Sequence, residues 1–275
     1  MPALPTLADY LLRRAVRVAV WYLPPRRRGM RLVRMVDKSV PPTARLFDAI
    51  YAGGVHVRCD LRDSVQSSIF YRGVYEPRAT SLFLDEIRSG DTVLDLGANV
   101  GYFSLMAARS VGRSGTVHAF EPSCDLAERL EADARRNGFE NLIVHRLAVS
   151  DREGTTYLAE SSNCSAPAGC RFLTNSSEGR VEAVEVVSID SYLPAARFDV
   201  VKIDIEGAEL RAIEGMTGAI RRLSPRLMLI EAIDEHLHRF GDSVAQLNST
   251  MTALGYSAQP ILEAYFADMI AFRKL

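Results

Sequence analysis

The stretch that most constrains this chain is residues 91–121, DTVLDLGANVGYFSLMAARSVGRSGTVHAFE, which predicts a strand, a glycine turn, a helix and a second strand. Residues 92–96 are an apolar, β-branched run of the kind that is buried on both faces of a parallel sheet. The second strand, residues 116–120, leads directly to Glu121. A carboxylate at this position accepts hydrogen bonds from the two hydroxyls of a ribose. The stretch therefore predicts half of a nucleoside-binding fold.

The glycine turn decides which nucleoside is expected. It runs from Gly97 to Gly101, and Asn99 stands where a dinucleotide fingerprint has the glycine that admits a pyrophosphate. Asp95 lies two residues before the turn, where it would repel phosphates but attract a cationic, amino-acid end. S-adenosylmethionine meets both conditions, with its ribose on Glu121. The alternative from another class is a nicotinamide-dependent oxidoreductase, which Asn99 and Asp95 both disfavour.

Composition sets wider bounds on what the chain does. Its 275 residues carry 24% charged side chains and a net charge of −1, so there is no global electrostatic case for nucleic-acid binding. The four cysteines, Cys59, Cys124, Cys164 and Cys170, lack the C-x₂-C spacing of zinc sites. With no signal peptide or apolar stretch of membrane-spanning length evident, they indicate reduced thiols and a cytoplasmic location.

Residues 1–50 form a basic extension, and residues 51–275 are expected to form the main domain. A helix is predicted over 7–23, with arginines beside its apolar positions. One interpretation places 7–28 at an anionic membrane surface near a lipid-linked substrate. The other, which is favoured because short amphipathic helices are common in soluble domains, makes it a cap over the cleft or a homodimer seam. A second helix is expected over 37–51.

The order of the predicted elements defines the fold class. Strands alternate with helices from residue 92 onward, which predicts an α/β fold with a doubly wound, seven-stranded, mostly parallel sheet whose last strand is antiparallel. Residues 155–187 interrupt this alternation and predict an inserted hairpin around a polar loop at 160–179, acting as a lid or remaining solvated. The other expected elements are a loop or short strand at 69–77, a strand at 198–205, one helix at 206–222 and a closing hairpin of 256–261 with 269–273.

The predicted strand at 198–205, FDVVKIDI, carries charges where a buried strand should be apolar. Lys202, Asp204 and the following Glu206 alternate with apolar residues, so all three are expected on one face at the carboxyl end of the strand. Open α/β sheets bind ligands at that edge, and a buried charge is costly unless it is used. Asp204 is therefore the first candidate for a general base and His236 the second. A divalent metal on Asp204, Glu206 and Glu231 is a further hypothesis.

Several motifs together resemble the FkbM-type methyltransferase family. They are D-L-G-A-N-V-G (95–101), F-E-P (120–122), A-V-S-D-x-E-G (148–154), S-I-D-S-Y (188–192) and V-K-I-D-I-E-G-A-E (201–209), and the resemblance covers residues 73–215. It implies a Rossmann-like class I fold and S-adenosylmethionine as cofactor. The residues that it assigns to cofactor binding are Asp95, Gly97, Asn99, Gly101, Glu121 and Pro122, with Ala148 near the adenine and Glu76 and Asp204 toward the methionine end or the acceptor.

The same resemblance implies methyl transfer to an oxygen, with a small molecule such as a sugar, a macrolide or another secondary metabolite as the acceptor. The expected role is therefore an O-methyltransferase of natural-product biosynthesis. In this interpretation Lys202 belongs to the catalytic group with Asp204 and His236. A nitrogen or carboxylate acceptor is the alternative within the same reaction class.

Overall fold

Seven strands form the main sheet of the computed structural model. The structure describes residues 6–22, 26–40, 46–51, 53–160, 171–174, 181–261 and 269–275. These fall into two compact units, the first ending at Tyr75 and the second beginning at Glu76. The predicted boundary after residue 50 lies within a β-hairpin of the first unit. None of the described helices has both the length and the apolarity needed to cross a bilayer.

The first unit packs three helices with one antiparallel hairpin. Its elements are α1 (Leu7–Tyr22), α2 (Arg26–Ser39), β1 (Leu46–Tyr51), β2 (Val55–Asp60) and α3 (Ser64–Arg72). Arg13 of α1 is fully buried, and it forms an ion pair with Asp37 and donates to Tyr71 Oη at 3.1 Å. One arginine of the basic helix is thus part of the unit's internal packing.

Two sequence predictions for this unit are wrong. No single helix runs over 37–51, because α2 ends at Ser39 and β1 pairs with β2 over its whole length. Residues 69–72 belong to α3 and form neither loop nor strand. That helix begins after Asp63, whose carboxylate accepts from the Gln66 amide, and it ends at Gly73 with φ 69°. These local capping groups specify a helix.

The second unit contains the remaining elements in alternating order. They are α4 (Pro77–Glu86), β3 (Thr92–Leu96), α5 (Tyr102–Val111), β4 (Thr116–Phe120), α6 (Cys124–Asn137), β5 (Leu142–His145), β6 (Ala148–Val149), β7 (Gly154–Glu160), β8 (Arg171–Thr174), β9 (Val181–Val187), α7 (Ile189–Tyr192), β10 (Val200–Ile203), α8 (Glu209–Glu214), α9 (Thr217–Leu223), β11 (Leu227–Glu231), α10 (Asp234–Leu237), a 3₁₀ turn (His238–Phe240), α11 (Val244–Ala253), β12 (Tyr256–Ile261) and β13 (Met269–Lys274).

The seven-stranded sheet has the predicted topology, with the strand order β12-β13-β11-β10-β3-β4-β5. Strands β5, β4, β3, β10 and β11 are parallel, and β13 is antiparallel to both β11 and β12. Its central strands are apolar and fully buried, as at Leu94, Val201 and Met228. The α/β fold class is confirmed, and the parallel strands bring their carboxyl ends to one edge.

The insertion forms a sheet of its own. Its four strands lie in the order β6-β9-β7-β8, and β7 pairs antiparallel with β9 as predicted. Strand β8 was not predicted. The polar loop at 160–179 is described only at Glu160 and in β8, and Cys164 and Cys170 lie outside the described residues. The role of a lid stays a prediction.

Two boundaries near the charged strand differ from the sequence prediction. Strand β10 ends at Ile203, so Asp204 and Glu206 follow the strand, and Glu206 has φ 58° in a turn. The helix expected over 206–222 is divided into α8 and α9. A Cβ on Gly215, which lies between them, would be 2.0 Å from the Ser150 carbonyl oxygen. The division is thus where the chain packs against the segment after β6.

Candidate active site

The ends of β3, β10 and β11 bring the predicted charged residues together. The parallel register pairs Lys202 with Asp95 on one side and with Leu229 on the other. Asp204 follows one end, and Glu231 closes the neighbouring strand. Because these strands are adjacent and parallel, residues that are more than a hundred positions apart in sequence meet at one edge.

Glu121 and the glycine turn form the second part of this edge. Glu121 Oε2 accepts from the Asn99 amide at 2.8 Å, and its Oε1 accepts from the Ser123 amide at 2.9 Å. Asn99 adopts φ 51°, a left-handed conformation that asparagine tolerates better than most residues. The carboxylate is thus oriented by backbone amides, and carboxylate oxygens can accept hydrogen bonds from ligand hydroxyls.

The two glycines of the turn are required by the protein's own packing. A Cβ on Gly97 would lie 1.8 Å from the Asp204 carbonyl oxygen, and one on Gly101 would lie 2.1 Å from Leu130 Cδ1. Both residues also have positive φ, 82° and 84°. Gly97 therefore lets the turn approach the segment after β10, which joins the cofactor side of the edge to the charged side.

Lys202 lies between two carboxylates. Its Nζ is 3.1 Å from Asp204 Oδ2 and 3.7 Å from Asp95 Oδ1, and it lies 4.9 Å above the Phe103 ring. Burial lowers the pKa of Lys202, but Asp204, Asp95 and Glu76 outweigh it and raise the pKa. Lys202 is therefore the positively charged partner of Asp95 and Asp204. Of the three groups only the Asp204 side chain reaches solvent appreciably, at 22% exposure against 3% for Lys202 and 0% for Asp95.

A second group of side chains lies beside the first. His236 Nδ1 is 3.2 Å from Glu231 Oε2 and 3.3 Å from Glu206 Oε2. Burial and the neighbouring Glu231 raise the pKa of Glu206 to about 8. Burial, followed by repulsion from Asp204, Glu209 and Glu76, raises the pKa of Glu231 well above its ordinary range. His236 therefore reaches the candidate site, whereas the His238 side chain is largely exposed and lies 4.0 Å from Asp234.

No site role was assigned to Glu209 from the sequence. Glu209 is buried, and its Oε1 accepts from the amides of Ile205 and Gly207 at 3.0 Å each. These bonds fix the turn that carries Glu206. The spacing E-G-A-E was the available signal, since an acid three residues after a turn can bond back to its amides. Ser104, which donates to Asp95, was missed as well.

A family model described as the Methyltransferase FkbM domain matches residues 95–258, more than half of the chain. The chain belongs to the FkbM methyltransferase family. The predicted family and its cofactor, S-adenosylmethionine, are confirmed by this match and by methyltransferase relatives. A nicotinamide cofactor is therefore not the one that the family uses.

Two curated relatives show the range of the family. The chain is 28% identical to the hexuronic acid methyltransferase AglP of Haloferax volcanii over 154 residues, which are 55% of this chain and 60% of that protein. It is 38% identical over 90 residues to the 31-O-demethyl-FK506 methyltransferase FkbM of Streptomyces tacrolimicus, covering 32% of this chain and 34% of that protein. The chain thus spans less than two thirds of the curated relatives it matches.

Among solved structures, a methyltransferase FkbM from Methylobacillus flagellatus aligns with 70% of this chain and 50% of its own. The sequence identity is 18% and the TM-score is 0.49. For the present chain, the class I architecture is established by its own strand order, β12-β13-β11-β10-β3-β4-β5.

The residues at the edge fit the cofactor of the FkbM family. Glu121 offers two oriented carboxylate oxygens to a ribose, and the acidic edge suits an ammonium group. Asp95 Oδ1 is buried and accepts no hydrogen bond from the described residues. The Asp95 side chain is fully buried, and burial raises the pKa of its carboxyl group.

The remaining predicted residues lie around the same edge. Glu76 precedes α4 with φ 42°, is buried, and is close enough to raise the pKa of Lys202. Pro122 follows Glu121 and is half-buried. Ala148 is buried in β6, where it pairs with Val186. Their contacts with a cofactor stay predictions.

Proposed function

We propose that this chain transfers a methyl group from S-adenosylmethionine to a hydroxyl oxygen of a sugar or natural-product acceptor. The observation that carries the proposal is the partly exposed Asp204 carboxylate, held by Lys202 at the same sheet edge as Glu121. The names of two relatives, one acting on a hexuronic acid and one on a 31-O-demethyl macrolide, support this acceptor class.

When bound, S-adenosylmethionine supplies a methyl group whose bonding electron pair remains on sulfur as the methyl passes to the acceptor oxygen. The acceptor hydroxyl loses its proton in the same transfer, so a nearby base is required. Asp204 takes that proton in this proposal. Lys202 donates to Asp204 Oδ2, which fixes the carboxylate and leaves Oδ1 toward the acceptor. Holding the two reactants in line accounts for much of the acceleration.

A carboxylate acceptor is the alternative that the relatives' names leave open. Protein-L-isoaspartate O-methyltransferase 2 of Archaeoglobus fulgidus is 39% identical over 59 residues, and the hexuronic acid of the first relative also carries a carboxylate. The proposed base argues against it, because an anionic acceptor has no proton for Asp204 to take and the Asp204 carboxylate would repel it.

The first experiment is calorimetric titration with S-adenosylhomocysteine, with NAD in parallel. We expect binding of the homocysteine compound only. Glu121→Gln should weaken it about 10- to 100-fold, as expected for a hydrogen bond to a charged group. Glu140→Gln, a change at an exposed acid, is the matched control. Binding of NAD would overturn the cofactor assignment, and so would equal affinity of Glu121→Gln and Glu140→Gln for S-adenosylhomocysteine.

The chemistry of the product separates the two acceptor classes. With radiolabelled S-adenosylmethionine and a panel of uronic acids and hydroxylated macrolides, an ether product keeps its label in mild alkali. A methyl ester releases labelled methanol. Release of the label would replace the hydroxyl acceptor by the carboxylate one.

A further inference from the structure

Three side chains beside the proposed base converge on one point, and we call Glu206, Glu231 and His236 the His236 cluster. They come from the turn after β10, the end of β11 and the first turn of α10. One ligand atom from each lies within 4.8 Å of the other two. Two carboxylate oxygens approach the same ring nitrogen, Nδ1, at 3.2 and 3.3 Å.

These distances fit a shared cation better than a shared hydrogen bond. An imidazole carries at most one proton on Nδ1, so it can donate strongly to only one of the two oxygens. Charge-assisted N–H···O bonds are about 2.7–2.9 Å long, and both contacts here are longer. Ligand atoms bound at about 2.0–2.2 Å to one metal ion lie about 3.0–3.5 Å from each other. Both His236 contacts fall in that range.

The charges around the cluster also require compensation. Glu231 is 6% exposed. In the part of the chain that the structure describes, Lys202 forms ion pairs with Asp95 and Asp204, and no lysine or arginine forms one with Glu206 or Glu231. Arg239 donates only to the Glu206 backbone carbonyl, at 3.5 Å. A buried carboxylate such as Glu231, with no lysine or arginine paired to it, is costly unless a protonated His236, a proton of its own or a metal ion compensates it.

We propose that Glu206, Glu231 and His236 bind a divalent metal ion of the manganese or zinc class. One imidazole with two carboxylates is a donor set typical of these ions, whereas calcium and magnesium prefer ligands that are all oxygen atoms. Asp204, which the sequence hypothesis placed in the metal site, is replaced by His236 because its carboxylate is held by Lys202. Three protein ligands leave coordination positions open.

The open positions indicate what the metal does, a role that rests on the proposed function. An acceptor hydroxyl bound there would lie beside Asp204, and the metal would polarise it toward loss of its proton. The metal site would thus select acceptors with a neutral oxygen that can reach the cluster.

Metal binding itself tests the proposal without any acceptor. The full chain, stripped with EDTA and dialysed, is titrated with Mn²⁺ while free Mn²⁺ is followed by electron paramagnetic resonance, and Zn²⁺ is titrated by calorimetry. We expect one site per chain. His236→Gln and Glu231→Gln should each weaken it at least about 10-fold, as loss of support to a metal site does. His238→Gln and Glu235→Gln, at exposed neighbours, should leave it unchanged.

Equal, weak binding in the wild type and in all four variants would overturn the proposal and indicate that protons compensate the cluster. Far-ultraviolet circular dichroism and urea midpoints show whether a variant is folded, and His236→Gln, at a partly exposed position, is the second variant should Glu231→Gln unfold.

Titration of the metal-free protein with S-adenosylhomocysteine separates the two proposals. If S-adenosylhomocysteine binds but no metal site is found, the metal proposal fails and the proposed function stands. If a metal site is found but no methyl transfer is measured, the proposed function fails and the metal site stands.

Discussion

At the scale of single residues, position along one strand end decides the chemistry of each charge. Lys202 lies within β10 and is buried, while Asp204, two residues on, is past the strand and partly exposed. The same spacing of two makes one group a fixed positive charge and the other a carboxylate that a substrate can reach. Lys202 is thus a positioning residue and Asp204 the candidate catalytic residue.

Replacing Asp204 by asparagine tests this division. Asp204→Asn keeps the shape of the side chain but cannot take a proton, so turnover should fall by about 10²-fold or more. Affinity for S-adenosylhomocysteine should be kept, because Glu121 is untouched. Initial rates with the acceptor found above give the comparison, with Glu235→Gln as the control. Unchanged turnover in Asp204→Asn would assign the base to another group.

Much of the residue-level site was predictable because strand ends are visible in the sequence. Asp95, Glu121 and Asp204 each follow an apolar run and lie at the predicted edge. The contact of His236 with Glu231 was not predictable from the sequence. Residues 232–235 follow neither the two-residue period of a strand nor the 3.6-residue period of a helix, so their path cannot be derived from a pattern. Glu209 was missed because its partners are backbone amides, which leave no mark on composition.

At the scale of elements, the glycine turn connects two strand ends through one close approach. The Gly97 amide donates to the Phe120 carbonyl, at the end of β4, at 3.0 Å. A Cβ on Gly97 would overlap the Asp204 carbonyl oxygen. We therefore expect the turn after β3 and the segment after β10 to move together. This approach joins the turn that contacts Glu121 to the candidate base.

A pair of glycine substitutions measures that approach. Gly138 also has positive φ, 69°, but a Cβ there would meet nothing within 4 Å. Gly138→Ala should therefore lower the free energy of unfolding by about 1–2 kcal/mol, the cost of the left-handed backbone alone. Gly97→Ala should cost about 1–3 kcal/mol more, because the Cβ overlaps the Asp204 carbonyl.

Urea unfolding of both variants supplies the comparison. Equal losses in the two variants would mean that the segment after β10 can move away, and the link between Gly97 and Asp204 would be abandoned.

At the scale of the whole molecule, protonation couples the sheet edge to stability. His145, at the end of β5, stacks on Phe120 with ring centres 4.4 Å apart and lies 3.0 Å from His118 Nδ1 through its Nε2. Burial, and then repulsion from His118, lowers the pKa of His145 to about 4. The unfolded chain, with an ordinary histidine pKa of about 6.5, binds this proton first.

The contribution of His145 to stability is therefore lost as pH falls from about 6.5 to about 4, with a slope of at most about 1.4 kcal/mol per pH unit. Buried carboxyls with raised pKa, such as Glu206, act in the opposite direction, so the wild type alone is not informative. His145→Phe keeps the stack and removes the titration. The free energy of unfolding of the wild type minus that of His145→Phe, measured in urea, should decrease as the pH falls from 7 to 4.5. A difference that stays constant over this pH range would contradict the assignment.

The sequence by itself determined the β–glycine turn–α–β unit, the sheet type, the position of Glu121 after the second strand and the family, because each depends on neighbours along the chain: apolar period, turn residues and motif spacing. Tertiary structure alone decided that residues 46–51 form a strand, which exists only by pairing with β2. It also decided that Gly97 serves the approach to Asp204 and that His236 joins Glu206 and Glu231. These features depend on contacts between segments distant in the chain, whose distances are set by packing and not by sequence separation.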